Sequence, residues 1–243
     1  MAYKIHAEYP FLVLANRDEY YERPTKDAHW WNENPNLLAG KDLKAGGTWL
    51  GVTKTGKFCA LTNYRAPQNF NPNALSRGNI VADYLSQSDS ATDYIYNQMG
   101  NMASYNDFNL ICYEQEQLYY FGSKEGKIKS LSPGIYGLSN ALLDSEWPKV
   151  VNGKNELQHL LQTGPISAEK AFDILGNPAV APDHELPNTG ISLEFERMLS
   201  AMHIQVEGYG TRSSNVILYQ QNGIEFYEKN HLNQSLSNFT IEF

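Results

Sequence analysis

Phe11-Leu12-Val13-Leu14-Ala15-Asn16-Arg17-Asp18-Glu19 is the stretch whose reading decides the fold. Five apolar residues in a row, entered through Tyr9-Pro10, read as a buried strand. The strand runs straight into four polar residues, Asn16, Arg17, Asp18 and Glu19. A buried strand that delivers charge at its C-terminal end sets a site on a rigid element. Four polar groups there are costly to bury unless they pair, and an Arg–carboxylate fork would satisfy both partners and fix their direction. The same pattern also fits an ion pair at an exposed strand end, since charged strand termini are routine.

Downstream, residues 21–46 read as a loop because they hold Pro24, Pro35, Gly40 and Gly46, with Trp30 and Trp31 side by side. Residues 48–53 and 57–64 read as two strands joined tightly over Lys54-Thr55-Gly56. A polar loop over 65–79 leads to helical spacing of Val81, Tyr84, Leu85, Tyr94, Ile95 and Met99, two short helices with Ser90 or Thr92 as a cap. Hairpin strands follow over 108–113 and 117–121, then strands over 127–131 and 134–138. Helices are expected over 155–162 and 167–175, the second capped by Ser167, and residues 176–190 read as a loop. Strands over 204–206, 214–219 and 223–227 follow, the last two a hairpin over Gln221-Asn222. Because most strands pair as hairpins, the sheets should be mainly antiparallel, with helices outside them to bury the apolar faces. No parallel βαβ repeat or GxGxxG loop interrupts that reading.

The 243 residues suit one α/β domain spanning 1–243, large enough to need no staple. Net charge is −8, and no basic cluster offers itself to phosphates, which argues against nucleic acid. Neither a signal segment nor a ~20-residue apolar span is present, so a cytoplasmic protein with no membrane insertion is expected. Cys59 and Cys112 each lie in an apolar run without zinc-like spacing and read as buried reduced thiols. The six histidines show no metal-ligand spacing, and no metal site is expected. Asp183-His184-Glu185 would hold a cation only weakly.

Four further segments carry candidate chemistry. Gly46-Gly47-Thr48-Trp49 offers paired glycines, which allow close backbone approach or positive φ, beside a tryptophan able to line a pocket. Asn63 and Asn140 end strands, where an amide donates to a ligand carbonyl or an oxyanion, or else caps a turn. Arg212, opening a late strand, would clamp a carboxylate or phosphate, or stand as a surface charge. Ser213 and Ser214 lie outside any GxSxG elbow, so a serine hydrolase of that type is not expected.

Read together, LANRDEYYERP, AGGTWLGVTKTGKFCALTNYR, GIYGLSNALLDSEWPKV and YGTRSSNVIL resemble the NRDE family (the Transport and Golgi Organisation protein 2-like group) along essentially the whole chain. That family is similar in layout to N-terminal-nucleophile amidohydrolases. The resemblance implies a four-layer αββα sandwich of two mainly antiparallel sheets. In such enzymes a cysteine at the mature N-terminus attacks an amide, its α-amine acting as base, while Arg, Asp and Asn residues orient it and stabilise the oxyanion. By position Arg17, Asp18, Asn63, Asn140 and, less closely, Arg212 match that set. Asn16, Glu19, Thr48 and Trp49 would join them as ligand-binding residues.

Family members usually open with Met-Cys and a short strand, whereas this sequence opens Met1-Ala2-Tyr3-Lys4. Cys-dependent amide hydrolysis is therefore not expected of it as it stands. Animal relatives are implicated in haem trafficking, acyl-coenzyme A or lipid handling and secretory-pathway organisation. The implied partner is an amphipathic anionic small molecule, haem first, carried as cargo with no cofactor required. A cleft lined by Trp30, Trp31 and Trp49, with Arg17 and Arg212 at its mouth, would suit it. The alternative is an amide hydrolase or acyltransferase whose Met-Cys start is missing here.

Overall fold

Strand β2 (Phe11–Tyr20) carries the apolar run and the four polar residues in one extended element. Its hydrogen-bonding edges are occupied by β1 (Ala2–Tyr3) and β12 (Tyr209–Gln220), so it is a central strand of its sheet. The computed structural model describes residues 1–243. The chain divides into two units, one of Met1–Glu22, Pro133–Leu138 and Asp144–Glu242, the other of Arg23–Ser132, Ser139–Leu143 and Phe243. The expected fold class holds: two antiparallel sheets, each with helices of its own.

In the first unit the strand order is β10 (Gly134–Ile135), β1, β2, β12, β13 (Gly223–Asn230) and β14 (Leu236–Glu242), with β11 (Gln205–Val206) also on β12. One face is covered by α3 (Pro148–Gln162) and α4 (Ala168–Leu175). Leu157, Leu160, Ala171 and Leu175 from these helices meet Leu12, Val216 and Leu218 from the sheet. A third helix, α5 (Leu193–Met198), is capped by Ser192. Strand side chains alternate between faces, so Leu12, Leu14, Asn16 and Asp18 share the helix side. Phe11, Val13, Ala15, Arg17 and Glu19 share the opposite side.

In the second unit the order is β3 (Thr25–Trp30), β4 (Leu37–Asp42), β5 (Leu50–Thr53), β6 (Phe58–Asn63), β7 (Phe108–Glu114), β8 (Gln117–Gly122) and β9 (Lys127–Ser130). Helices α1 (Gly78–Ser86) and α2 (Ala91–Gln98) pack Val81, Tyr84, Leu85 and Ile95 against Leu37, Cys59, Leu110 and Cys112. The α2 cap is Ser90, whose hydroxyl accepts from the Asp93 N–H. Buried Glu114 accepts from the first N–H of that helix, at Ala91, and from the Tyr84 hydroxyl, with Lys57 at 3.6 Å. An anion at a helix N-terminus satisfies an otherwise orphaned donor and complements the dipole.

Residues 21–46 are not a loop. They contain β3 and β4, and β4 is among the most buried strands. Gly40, a loop signal by residue type, is a strand residue, and a β-carbon there would lie 2.3 Å from the Trp49 ring. A glycine inside a strand marks such an approach. Helix α3 starts seven residues earlier than expected, with Pro148 at its first position, because Gly153 packs its bare Cα against Met202 and does not end it. Strand β14 and helix α5 lie in segments where no element was expected. β14 is an edge strand whose exposed polar residues Asn238 and Thr240 hide its pattern. No helix is long and apolar enough to cross a membrane.

Candidate functional site

Alternation along β2 divides Asn16-Arg17-Asp18-Glu19 between two environments. On the helix side, the Asn16 amide donates to the Leu175 carbonyl at 2.8 Å and the Met202 carbonyl at 2.7 Å. Its oxygen accepts from the Ser214 hydroxyl at 2.6 Å. Asn16 thus fastens the sheet to the end of α4 and to the segment before β11. Asp18 accepts from the Thr211 hydroxyl at 2.6 Å, and Thr211 in turn accepts from the Ile204 N–H.

Ser214 also lies 2.8 Å from His231 Nε2. A serine and a histidine at that distance suggest a nucleophile and its base, but the hydrogen count decides otherwise. Both Asn16 amide protons are committed to carbonyls, so Ser214 must give its only proton to the Asn16 oxygen. His231 therefore donates from Nε2 and cannot take a proton from Ser214. The His203 ring stands edge-on to His231 at 4.6 Å. Burial, followed by the neighbouring His203 and Lys229, lowers the His231 pKa to about 4. The unfolded chain binds a proton there near pH 6.5, and the folded one resists until about pH 4. This contribution to stability is present above pH 6.5 and is lost as pH falls through that window. Urea midpoints between pH 7.5 and 4 should fall more steeply for the native chain than for His231→Gln, whose amide still donates to Ser214; parallel curves would refute the assignment.

On the opposite face Arg17 is 8% exposed and lies 3.9 Å from Glu19, a loose ion pair across two strand positions. The facing positions of β12 are Ser213 and Asn215, paired in register with Arg17 and Ala15. Asn215, 1% exposed, donates to Glu228 of β13 at 3.2 Å. Arg17, Ser213, Asn215 and Glu228 are all buried, and they make a polar patch on the sheet face opposite α3 and α4. Buried polar groups held on central strands are costly unless interlinked, which is the usual condition of a binding surface. Asn215 and Glu228 were missed in the sequence. The signal was weak: Asn215 follows Ser213-Ser214 and Glu228 precedes Lys229-Asn230, so each reads as part of a polar strand end. Arg212 sits at a register shift between Thr211 and Ser213, and its guanidinium donates to the Tyr20 carbonyl at 3.2 Å.

The remaining predicted residues belong to the second unit. Asn140 donates its amide to the Asn63 carbonyl at 2.9 Å, while the Asn140 carbonyl accepts from the Arg65 N–H at 2.7 Å. Asn63 ends β6 as expected, but the strand over 134–138 stops at Ile135, so Asn140 lies in the bend beyond it; the two asparagines are adjacent, with the Asn63 side chain exposed. Thr48 is buried and gives its hydroxyl to the Leu50 carbonyl. Trp49 lays its ring over Gly40. Trp31 is corrected from cleft wall to core residue: it is buried among the α1 and α2 contacts, and its indole N–H donates to the Ala39 carbonyl. Trp30 is half-buried under Lys54. No cluster of three or more His, Cys, Asp or Glu side chains could hold a metal. Asp183 receives a bidentate fork from Arg197.

The model of the Transport and Golgi organisation 2 family matches residues 1–233. The chain belongs to the Transport and Golgi organisation 2 family. Among its relatives are the human Transport and Golgi organization protein 2 homolog, 35% identical, covering 97% of this chain and 92% of the relative. The mouse homolog is 33% identical with the same coverage, and the Drosophila melanogaster protein is 30% identical over 91% of this chain and 86% of its own length. Two structures of conjugated bile acid hydrolase variants from Clostridium perfringens match this family member with a TM-score of 0.52. Their identities are 9% and 10%, and they cover 95% and 94% of the chain and 88% of the hydrolase. At that identity the likeness shows the fold alone, that of the N-terminal-nucleophile hydrolases.

Proposed function

We propose that this Transport and Golgi organisation 2 family member binds an amphipathic anionic small molecule, with haem the first candidate, at the Arg17 end of the first-unit sheet. The observation that carries the reading is the burial of the Arg17 side chain on a rigid central strand, beside Ser213 and on the same sheet face as Asn215 and Glu228. A guanidinium offers a planar fork to a carboxylate, and Glu19 stands 3.9 Å from it on the same sheet face. Conjugated bile acids, named for the hydrolase of shared fold, are themselves amphipathic anions.

A second reading, amide hydrolysis, is favoured by the shared fold and by the adjacency of Asn63 and Asn140, a pair able to present amide and backbone groups to an oxyanion. One experiment separates the two. Haemin is titrated into the protein and followed in the Soret region, with a taurine-conjugated bile acid and an acyl-coenzyme A run in parallel and assayed for amine and free thiol. Saturable binding at about micromolar affinity, roughly −8 kcal/mol, without turnover is the expected result. Release of amine would place hydrolysis first. Absence of saturable binding to all three would remove the carrier reading.

A further inference from the structure

The chain has two cysteines, and the fold places them face to face. Cys59 on β6 and Cys112 on β7 are 53 residues apart in sequence, direct partners in the strand register, and 3.5 Å apart at sulfur. Both are free thiols, and neither belongs to the site above. They lie in the core beneath α1, among Tyr84, Leu85 and Leu110. Two opposed residues of an antiparallel pair have Cα atoms about 4.5–5.5 Å apart, inside the span a disulfide tolerates. A rotation about the side-chain bonds is therefore enough to bring the sulfurs to bonding distance, with the strand ladder intact.

We propose that Cys59 and Cys112 form a site of reversible two-electron oxidation that closes to an intramolecular disulfide when a hydroperoxide reaches them. In the first step one thiolate attacks the peroxide, the O–O bond breaks, a sulfenic acid forms and hydroxide leaves to be protonated. In the second, the other thiol attacks the sulfenic sulfur, the S–S bond forms and a second water leaves. Two thiols and one hydrogen peroxide give one disulfide and two waters. Burial, with the neighbouring thiol, raises the Cys59 pKa well above its usual range, so thiolate is scarce while α1 covers the pair. The reaction is consequently slow in the closed protein and proceeds when α1 lifts from the sheet. Once formed, the bond joins β6 to β7 and closes the loop that contains α1 and α2, which restricts the unfolded chain.

The test uses the whole reduced protein, treated with excess hydrogen peroxide and then with catalase. It is next unfolded in guanidinium with N-ethylmaleimide and weighed intact. The expected product has lost the mass of two hydrogens, takes up no maleimide, contains a cross-linked Cys59–Cys112 peptide and reverts with dithiothreitol. Its guanidinium midpoint before reduction is higher than that of the reduced protein. Cys112→Ala, treated alike, shows no such loss. Uptake of two maleimides after peroxide would overturn the proposal. So would advance of the sulfurs to sulfinic or sulfonic acid without a bridge, or a bridge formed only between chains.

Discussion

Replacing Gly47 by alanine should cost about 3 kcal/mol or more, because the added methyl has nowhere to go. Its β-carbon would sit 2.4 Å from the Gly78 carbonyl carbon, 2.6 Å from its oxygen and 2.7 Å from the Asn79 nitrogen. All three are backbone atoms at the start of α1, so no rotamer change relieves the contact. The same shift would open the bond from the Thr48 N–H to the Gly78 carbonyl, now 3.1 Å. A loss of this size is a large part of the ~5–15 kcal/mol that keeps a domain folded. Gly46 serves a different purpose: its φ is +82° and nothing lies near it, so Gly46→Ala should lose only about 1 kcal/mol through backbone strain. Gly100, with open space and no positive φ, is the control and should change little. Urea unfolding of the three variants measures the order directly. A Gly47→Ala midpoint equal to that of Gly100→Ala would show that the β5 entry and α1 are not packed backbone to backbone.

The second large effect is expected at Asn16. Asn16→Ala removes three hydrogen bonds and leaves the Leu175 and Met202 carbonyls and the Ser214 hydroxyl to find other partners. At about 1 kcal/mol per bond, with more for groups left buried, the loss should be about 3 kcal/mol. Asn16→Asp should be worse than alanine at neutral pH, since a carboxylate has no proton to give two carbonyl oxygens and would face them as a like charge. The variants should fold to the same secondary structure, judged by circular dichroism, and differ in urea midpoint in the order native, alanine, aspartate. If aspartate equalled the native chain, the amide orientation that sets the Ser214–His231 polarity would be incorrect.

These two positions show what was legible in the sequence and what was not. The apolar run at Phe11–Ala15 announced a buried strand, and the hairpin signals at Lys54-Thr55-Gly56 and Gln221-Asn222 announced antiparallel pairing, because both depend on local spacing alone. Gly46-Gly47 suggested positive φ or a close approach, and the fold uses one glycine for each. The partner of Gly47 could not be read, since Gly78 becomes its neighbour only when α1 docks. Residues 21–46 were misread for a related reason: Gly40 weakens β4 locally, and only the Trp49 ring resting on it shows why it is there. At the site, the charges of residues 16–19 were visible as a group, but their division between faces follows from strand alternation once the strand runs unbroken through Tyr20. Asn215 and Glu228 meet through strand register over long sequence separation.

We propose that Arg17, alone of the four motif residues, offers a cationic fork to an anionic ligand, while Asn16 and Asp18 hold the sheet to the segments above it. Haemin titration of Arg17→Gln, which keeps a polar amide while removing the charge and the guanidinium fork, is the most direct measurement. With folding verified by circular dichroism, haemin affinity should fall about tenfold or more, equivalent to roughly 1.4 kcal/mol or greater. Unchanged affinity in a folded Arg17→Gln would contradict this reading and move the site away from Arg17.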